Sequence, residues 1–149
     1  RRGAGLLPND TVSRPQKTTV QPEGTLGAPS GVLVPLSGMP VTGYEIHMGE
    51  TTRAADAKPL VQLSRAGQQP VWDGCQTENA YGTYLHGVFD APGVALALAQ
   101  ALAARKGITL ADTAYDTAQY KEEQYDRLAD AVRQSLDMQL IYRILEGKA

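Results

Sequence analysis

Short apolar runs broken by turn residues fill the middle of the chain, and two stretches with helical spacing follow them. "GVLVPL" (31–36), "VTGYEIHM" (41–48), "LVQLSR" (60–65), "PVWD" (70–73) and "YGTYLHG" (81–87) each have the length and the β-branched or aromatic content of a strand. Alternation within 41–48 predicts one face carrying Tyr44, Ile46 and Met48 and another carrying Glu45 and His47. In 81–87 it predicts Tyr84 and His86 on one face and Leu85 on the other. A helix is predicted over 91–107, with Asp90 as N-cap, Pro92 in the first turn, Arg105 and Lys106 in the last and Gly107 as its stop. Leu128, Val132, Leu136, Leu140 and Ile144 recur every four residues, which predicts one long amphipathic helix or two joined near Ser135; Tyr115, Tyr120 and Tyr125 lead into it. Residues 1–30 are rich in Gly, Pro, Thr and charge and read as an irregular lead-in to a domain spanning 31–149. Strands followed by helices give an α/β or α+β domain, and α/β is the expectation.

Composition narrows the function classes. With 149 residues the chain is long enough to bury a core, and its net charge of -2 offers no basic excess for nucleic acid. No apolar stretch approaches a membrane span and no signal-peptide pattern opens the chain, so a cytoplasmic address is expected. The one cysteine, Cys75, forms no intramolecular disulfide, and no Cys/His cluster has zinc spacing.

The chain has two histidines. His86 stands at the carboxyl end of a predicted strand, followed by Gly87, where the chain can turn sharply. Ligands of open α/β sheets bind beyond that end of the strands, and an imidazole titrates near neutral pH. A general base and a structural histidine both fit. His47 and Glu45, two residues apart on one strand face, fit a metal pair, an acid orienting a base, or the solvated face of an edge strand, and the residues alone favour the solvated face. Cys75 in "DGCQT" lacks the small flanking residues of a nucleophile elbow and reads as an incidental loop thiol. "RPQKTT" (14–19) has Gln16 where a P-loop has glycine, so the phosphate-binding pattern fails.

"GAGLLP" with "KTT", then "GYEIHMG" and "YGTYLHGVFD", in this order, resemble the C-terminal part of the cobyric acid synthase family, glutamine-dependent amidases of cobalamin biosynthesis. The resemblance runs from about residue 3 to the last helix. Cobyrinic acid a,c-diamide synthase, peptidoglycan-precursor amidases and a non-catalytic module of the same fold are the alternatives. The resemblance implies a class I-like glutaminase domain of flavodoxin-like α/β type, of which this chain is the C-terminal portion. It also implies an ATP- and Mg2+-dependent synthetase domain elsewhere in the parent protein, no cofactor in this chain, and glutamine and a corrinoid (cobyrinic acid diamide) as substrates.

The family's catalytic histidine lies in "YLHG" and maps onto His86, which would take the proton of a cysteine thiol. The family's cysteine lies upstream of the "GLLP" motif, so this chain alone is expected to be inactive, with Cys75 no replacement. Val88 stands where many class I amidotransferases place an acid two residues after the histidine, and Glu45 is the expected substitute. Tyr84 and His47 are the candidate substrate-contacting residues, with His47 lining either the glutamine pocket or the interface with the synthetase domain. A domain lacking its first strands leaves sheet edges unpaired, and self-association is expected.

Overall fold

A computed structural model describes residues 4–110 and 117–148. They divide into two units, the first running to residue 110 and the second from 117.

In the first unit, strands β1 (Asn9–Val20), β2 (Glu23–Leu26), β3 (Pro40–Thr42), β4 (Tyr44–Arg53), β5 (Val61–Ser64), β6 (Val71–Asp73), β7 (Cys75–Gln76), β8 (Tyr81–Gly82) and β9 (Leu85–His86) precede helix α1 (Val94–Arg105). They form three sheets, with orders β1-β4-β9, β3-β2-β5-β6 and β7-β8. Every pairing is antiparallel.

The residues expected as an irregular lead-in are largely strand. β1 carries no apolar alternation because it is an exposed ribbon: Asn9–Ser13 and Thr18–Val20 pair with β4 across a register break at residues 14–17. β-branched threonine and valine suit such a strand without a core face to mark it. "GVLVPL" is a 3-10 turn, not a strand; Gly31 opens it at φ 58°, Pro35 lies inside it, and Leu33 and Leu36 point inward. "VTGYEIHM" is split at Gly43 between two sheets. A Cβ on Gly43 would run into the carbonyl of His86, so only glycine lets the chain cross there.

α1 starts three residues later than expected. Gly93, at φ 79°, turns the chain into the helix, so neither Asp90 nor Pro92 has its expected place; Gly107, at φ 69°, follows the helix end as anticipated. Its first residue, Val94, is fully buried and joins Leu26, Leu33, Leu36, Val41, Leu60, Val61, Leu63 and Leu85 in the core. Each large side chain there contributes about 1.5–3 kcal/mol by leaving water. Leu85 roots β9 in this core one residue before His86.

The second unit contains α2 (Thr117–Ser135) and α3 (Met138–Leu145). The expected junction near Ser135 is present: the Asp137 carboxylate accepts from Leu140 N–H at 2.9 Å and starts α3. Tyr115 lies outside the described residues, whereas Tyr120 and Tyr125 are on α2. Among the described residues no helix is long and apolar enough to cross a membrane.

Candidate active-site histidine and the cluster behind its strand

β9 is two residues long and sits at the edge of its sheet. Its register sets Tyr44 opposite His86 and Glu45 opposite Leu85. Directly opposed residues share a sheet face. His86 therefore lies on the face of Tyr44, Ile46 and Met48, and Glu45 and His47 lie on the other.

The exposure of these two faces is the reverse of the expectation. Tyr44, Ile46 and Met48 are 55%, 45% and 49% exposed, whereas Glu45 is 2% exposed. The reason is a cation from the neighbouring sheet. Arg65, just past β5, donates to both Glu45 oxygens, from Nη2 at 2.7 and 2.6 Å and from Nε at 3.1 Å. His47 Nε2 donates to Glu45 Oε1 at 2.9 Å, and its Nδ1 faces the Gly49 carbonyl at 2.8 Å. Burial by itself would raise the Glu45 pKa; the hydrogen bonds and charges of Arg65 and His47 overcome it and hold the carboxyl below its ordinary value.

Tyr84 completes the cluster. Its ring stacks on His47, centroids 4.1 Å apart and planes 19° from parallel, and its hydroxyl is hydrogen-bonded to that of Thr51 at 2.6 Å. Tyr84 and His86 were expected on one face, but the structure separates them. "YGTYLHG" is not one strand: Tyr81–Gly82 pairs with β7, Leu85–His86 pairs with β4, and the bend between them is pinned by Asp73. Asp73 Oδ2 accepts from the Thr83 hydroxyl at 2.5 Å and from Tyr84 N–H at 3.0 Å, while Thr83 Oγ1 accepts from Leu85 N–H at 3.0 Å.

Glu45, expected to orient His86, is thus committed to Arg65 and His47 behind the sheet, with its carboxylate on the opposite face. His47 and Tyr84, the candidate substrate contacts, have their polar atoms engaged inside the same cluster. Together with Arg14, Arg53 and Arg65 they line an open cavity of about 730 Å³, which His86 does not line.

His86 itself is exposed, and among the described residues no side chain is bonded to it. Its backbone is tightly set: Gly43 abuts its carbonyl, and Gly87, at φ 85°, turns the chain into the 3-10 turn Val88–Asp90. The imidazole is held at its root and open at its tip, which suits a group that exchanges protons with a partner approaching the Tyr44 face. Cys75 is not an incidental loop thiol. It is 1% exposed and lies in β7, in a different sheet from the one that bears His86.

Sequence reasoning missed Arg65 and Asp73. The signals available were a cation ending the buried run "LVQLSR" and an acid before Gly74, which turns at φ 75°.

The sheet edge, the histidine in "YLHG" and the glycines around it fall in a segment with a family match. Residues 1–94 match the CobB/CobQ-like glutamine amidotransferase domain, and the chain belongs to that family. Its relatives include cobyric acid synthase of Citrobacter koseri, 46% identical over 147 residues, covering 97% of this chain and 29% of that protein. Cobyric acid synthase of Klebsiella pneumoniae strain 342 is 46% identical over 146 residues, covering 96% and 29%. That of Lachnoclostridium phytofermentans is 42% identical over 155 residues, covering 97% and 30%. The chain spans just under a third of the length of these relatives.

Proposed function

We propose that this chain is the distal part of the glutaminase domain of an ATP-dependent amidoligase that amidates corrinoid side-chain carboxylates, with His86 as its general base. The observation that carries the reading is His86: an exposed imidazole at a strand end, fixed through its backbone by Gly43 and Gly87, within the segment matched to the glutamine amidotransferase family. The flavodoxin-like description belongs to the complete glutaminase domain, of which these antiparallel strands are one part.

The reaction assigned to His86 has two halves. A cysteine upstream in the parent protein gives its thiol proton to the imidazole, and the thiolate attacks the carboxamide carbon of glutamine. The tetrahedral intermediate collapses, the imidazolium passes its proton to the departing nitrogen, and ammonia leaves a glutamyl thioester. Water, deprotonated by the same imidazole, cleaves the thioester to glutamate and restores the thiol. Cys75 takes no part, since its thiol is buried in another sheet. This chain alone is then inactive.

ATP and Mg2+ serve the synthetase half of the parent protein, where they activate the carboxylate for attack by ammonia. Lys17 and Thr18 do not fit a phosphate cradle, because they lie in the extended β1 and not in a glycine-rich loop before a helix. Among the described residues no group of three or more metal-ligating side chains is assembled. The proposed steps of glutamine hydrolysis use the cysteine, the imidazole and water alone. A cytoplasmic site of action accords with these substrates.

The test is made with the full-length parent, glutamine, ATP, Mg2+ and cobyrinic acid diamide. Glutamate release accompanied by amidation of the corrinoid is the expected result. Glutamine hydrolysis with amidation only of some other carboxylate would contradict the corrinoid assignment.

A further inference from the structure

Four residues form a continuous path from the second sheet to the strand that carries His86. Arg65 leaves the end of β5 and clamps Glu45 on β4; Glu45 accepts from His47; His47 stacks on Tyr84; Tyr84 leads directly into Leu85 and His86. Glu45 is also the register partner of Leu85, so the path grips β9 both across the ladder and from its preceding residue. A strand of two residues has little pairing of its own to hold it, and β9 lies at a sheet edge. Its placement must come from what packs behind it.

We propose that Arg65, Glu45, His47 and Tyr84 are positioning residues that fix the β9 backbone, and with it the aim of the His86 imidazole, without touching glutamine. This rests on the reading of His86 as the base. A carboxylate buried on the far face is poorly placed to hydrogen-bond His86, but it is well placed to stop β9 from shifting. Displacing a reacting group by about 1 Å can cost on the order of 100-fold in rate. Loss of the path should therefore lower turnover more than substrate binding.

Tyr84 separates this role from a merely polar one. Tyr84→Phe keeps the ring on His47 and loses only the bond to Thr51; Tyr84→Ala removes the stack. His47→Leu removes the link from Glu45 to the ring while filling similar space.

The experiment is steady-state glutamine hydrolysis by the full-length parent protein and its variants. Tyr84→Ala, His47→Leu and Glu45→Gln are expected to lower kcat about 10- to 100-fold with KM for glutamine changed less than about threefold, and Tyr84→Phe to stay within about threefold of the parent. Folding is checked by circular dichroism; if Glu45→Gln does not fold, the Tyr84 pair still decides. Loss of kcat in Tyr84→Phe equal to that in Tyr84→Ala would overturn the stacking role. A rise in KM with kcat unchanged would make these residues substrate contacts and overturn the proposal. Variants that keep full kcat while His86→Asn is inactive would also overturn it, leaving the base assignment intact. Full activity of His86→Asn would overturn the base assignment itself, and the proposal with it.

Discussion

Replacing Glu45 with glutamine removes one charge from a cluster built around it, and the structure sets both the cost and its pH dependence. The carboxylate is 2% exposed and accepts four hydrogen bonds, three from Arg65 and one from His47. Removing one partner of a buried ion pair costs about 3–5 kcal/mol. The side chain of Arg65 is 25% exposed and that of His47 17%, so both recover some hydration. The carboxamide of the Glu45→Gln variant also retains one acceptor oxygen, and the expected loss is about 2–3 kcal/mol at pH 7. For a chain of this size that is a fall in Tm of roughly 4–12 °C.

The carboxyl is held below its ordinary value of 4.5 in the fold. Its contribution is therefore complete above about pH 4.5 and is lost as the pH falls through the folded value. The wild-type and Glu45→Gln melting curves, followed by circular dichroism on the 149-residue chain, should be furthest apart near pH 7 and converge below about pH 4.5. A gap that stayed constant from about pH 7 to about pH 3, or no gap at neutral pH, would mean that the ionised Glu45 carboxylate does not stabilise the fold.

Leu63, fully buried in β5, should cost about 2–5 kcal/mol when changed to Ala, read from chemical denaturation of the chain; a loss under about 1 kcal/mol would mean that the core is elsewhere. Gly43→Ala should lower Tm by an amount equivalent to about 1–3 kcal/mol and depress glutamine hydrolysis in the parent, because its Cβ pushes on the His86 carbonyl. The chain treated with an electrophilic glutamine analogue should show no added mass by intact-mass spectrometry. An adduct that disappears in Cys75→Ser would show that Cys75 is a working nucleophile.

The parts of the fold readable from sequence were those set by local chemistry. His86 before Gly87, the helix stop at Gly107 and the break near Ser135 depend on residues within a few positions of one another. The exposure of the two β4 faces and the shared face expected for Tyr84 and His86 failed because their causes are distant in the chain. Arg65 lies 20 residues from Glu45 and Asp73 lies 11 from Tyr84, and no period in the sequence records either pair. Glu45 and His47 look like a wet edge until the Arg65 guanidinium covers them. β1 went unrecognised because an exposed ribbon needs no apolar face, and "GVLVPL" because an apolar run of six residues fits a buried 3-10 turn as well as a strand.

The role proposed for His86 is to move the proton in glutamine hydrolysis. Its most direct test is the glutaminase rate of the full-length parent carrying His86→Asn, with folding verified. That role requires a fall in kcat of about 100- to 10,000-fold with KM for glutamine little changed. A rate within about threefold of the parent would contradict it.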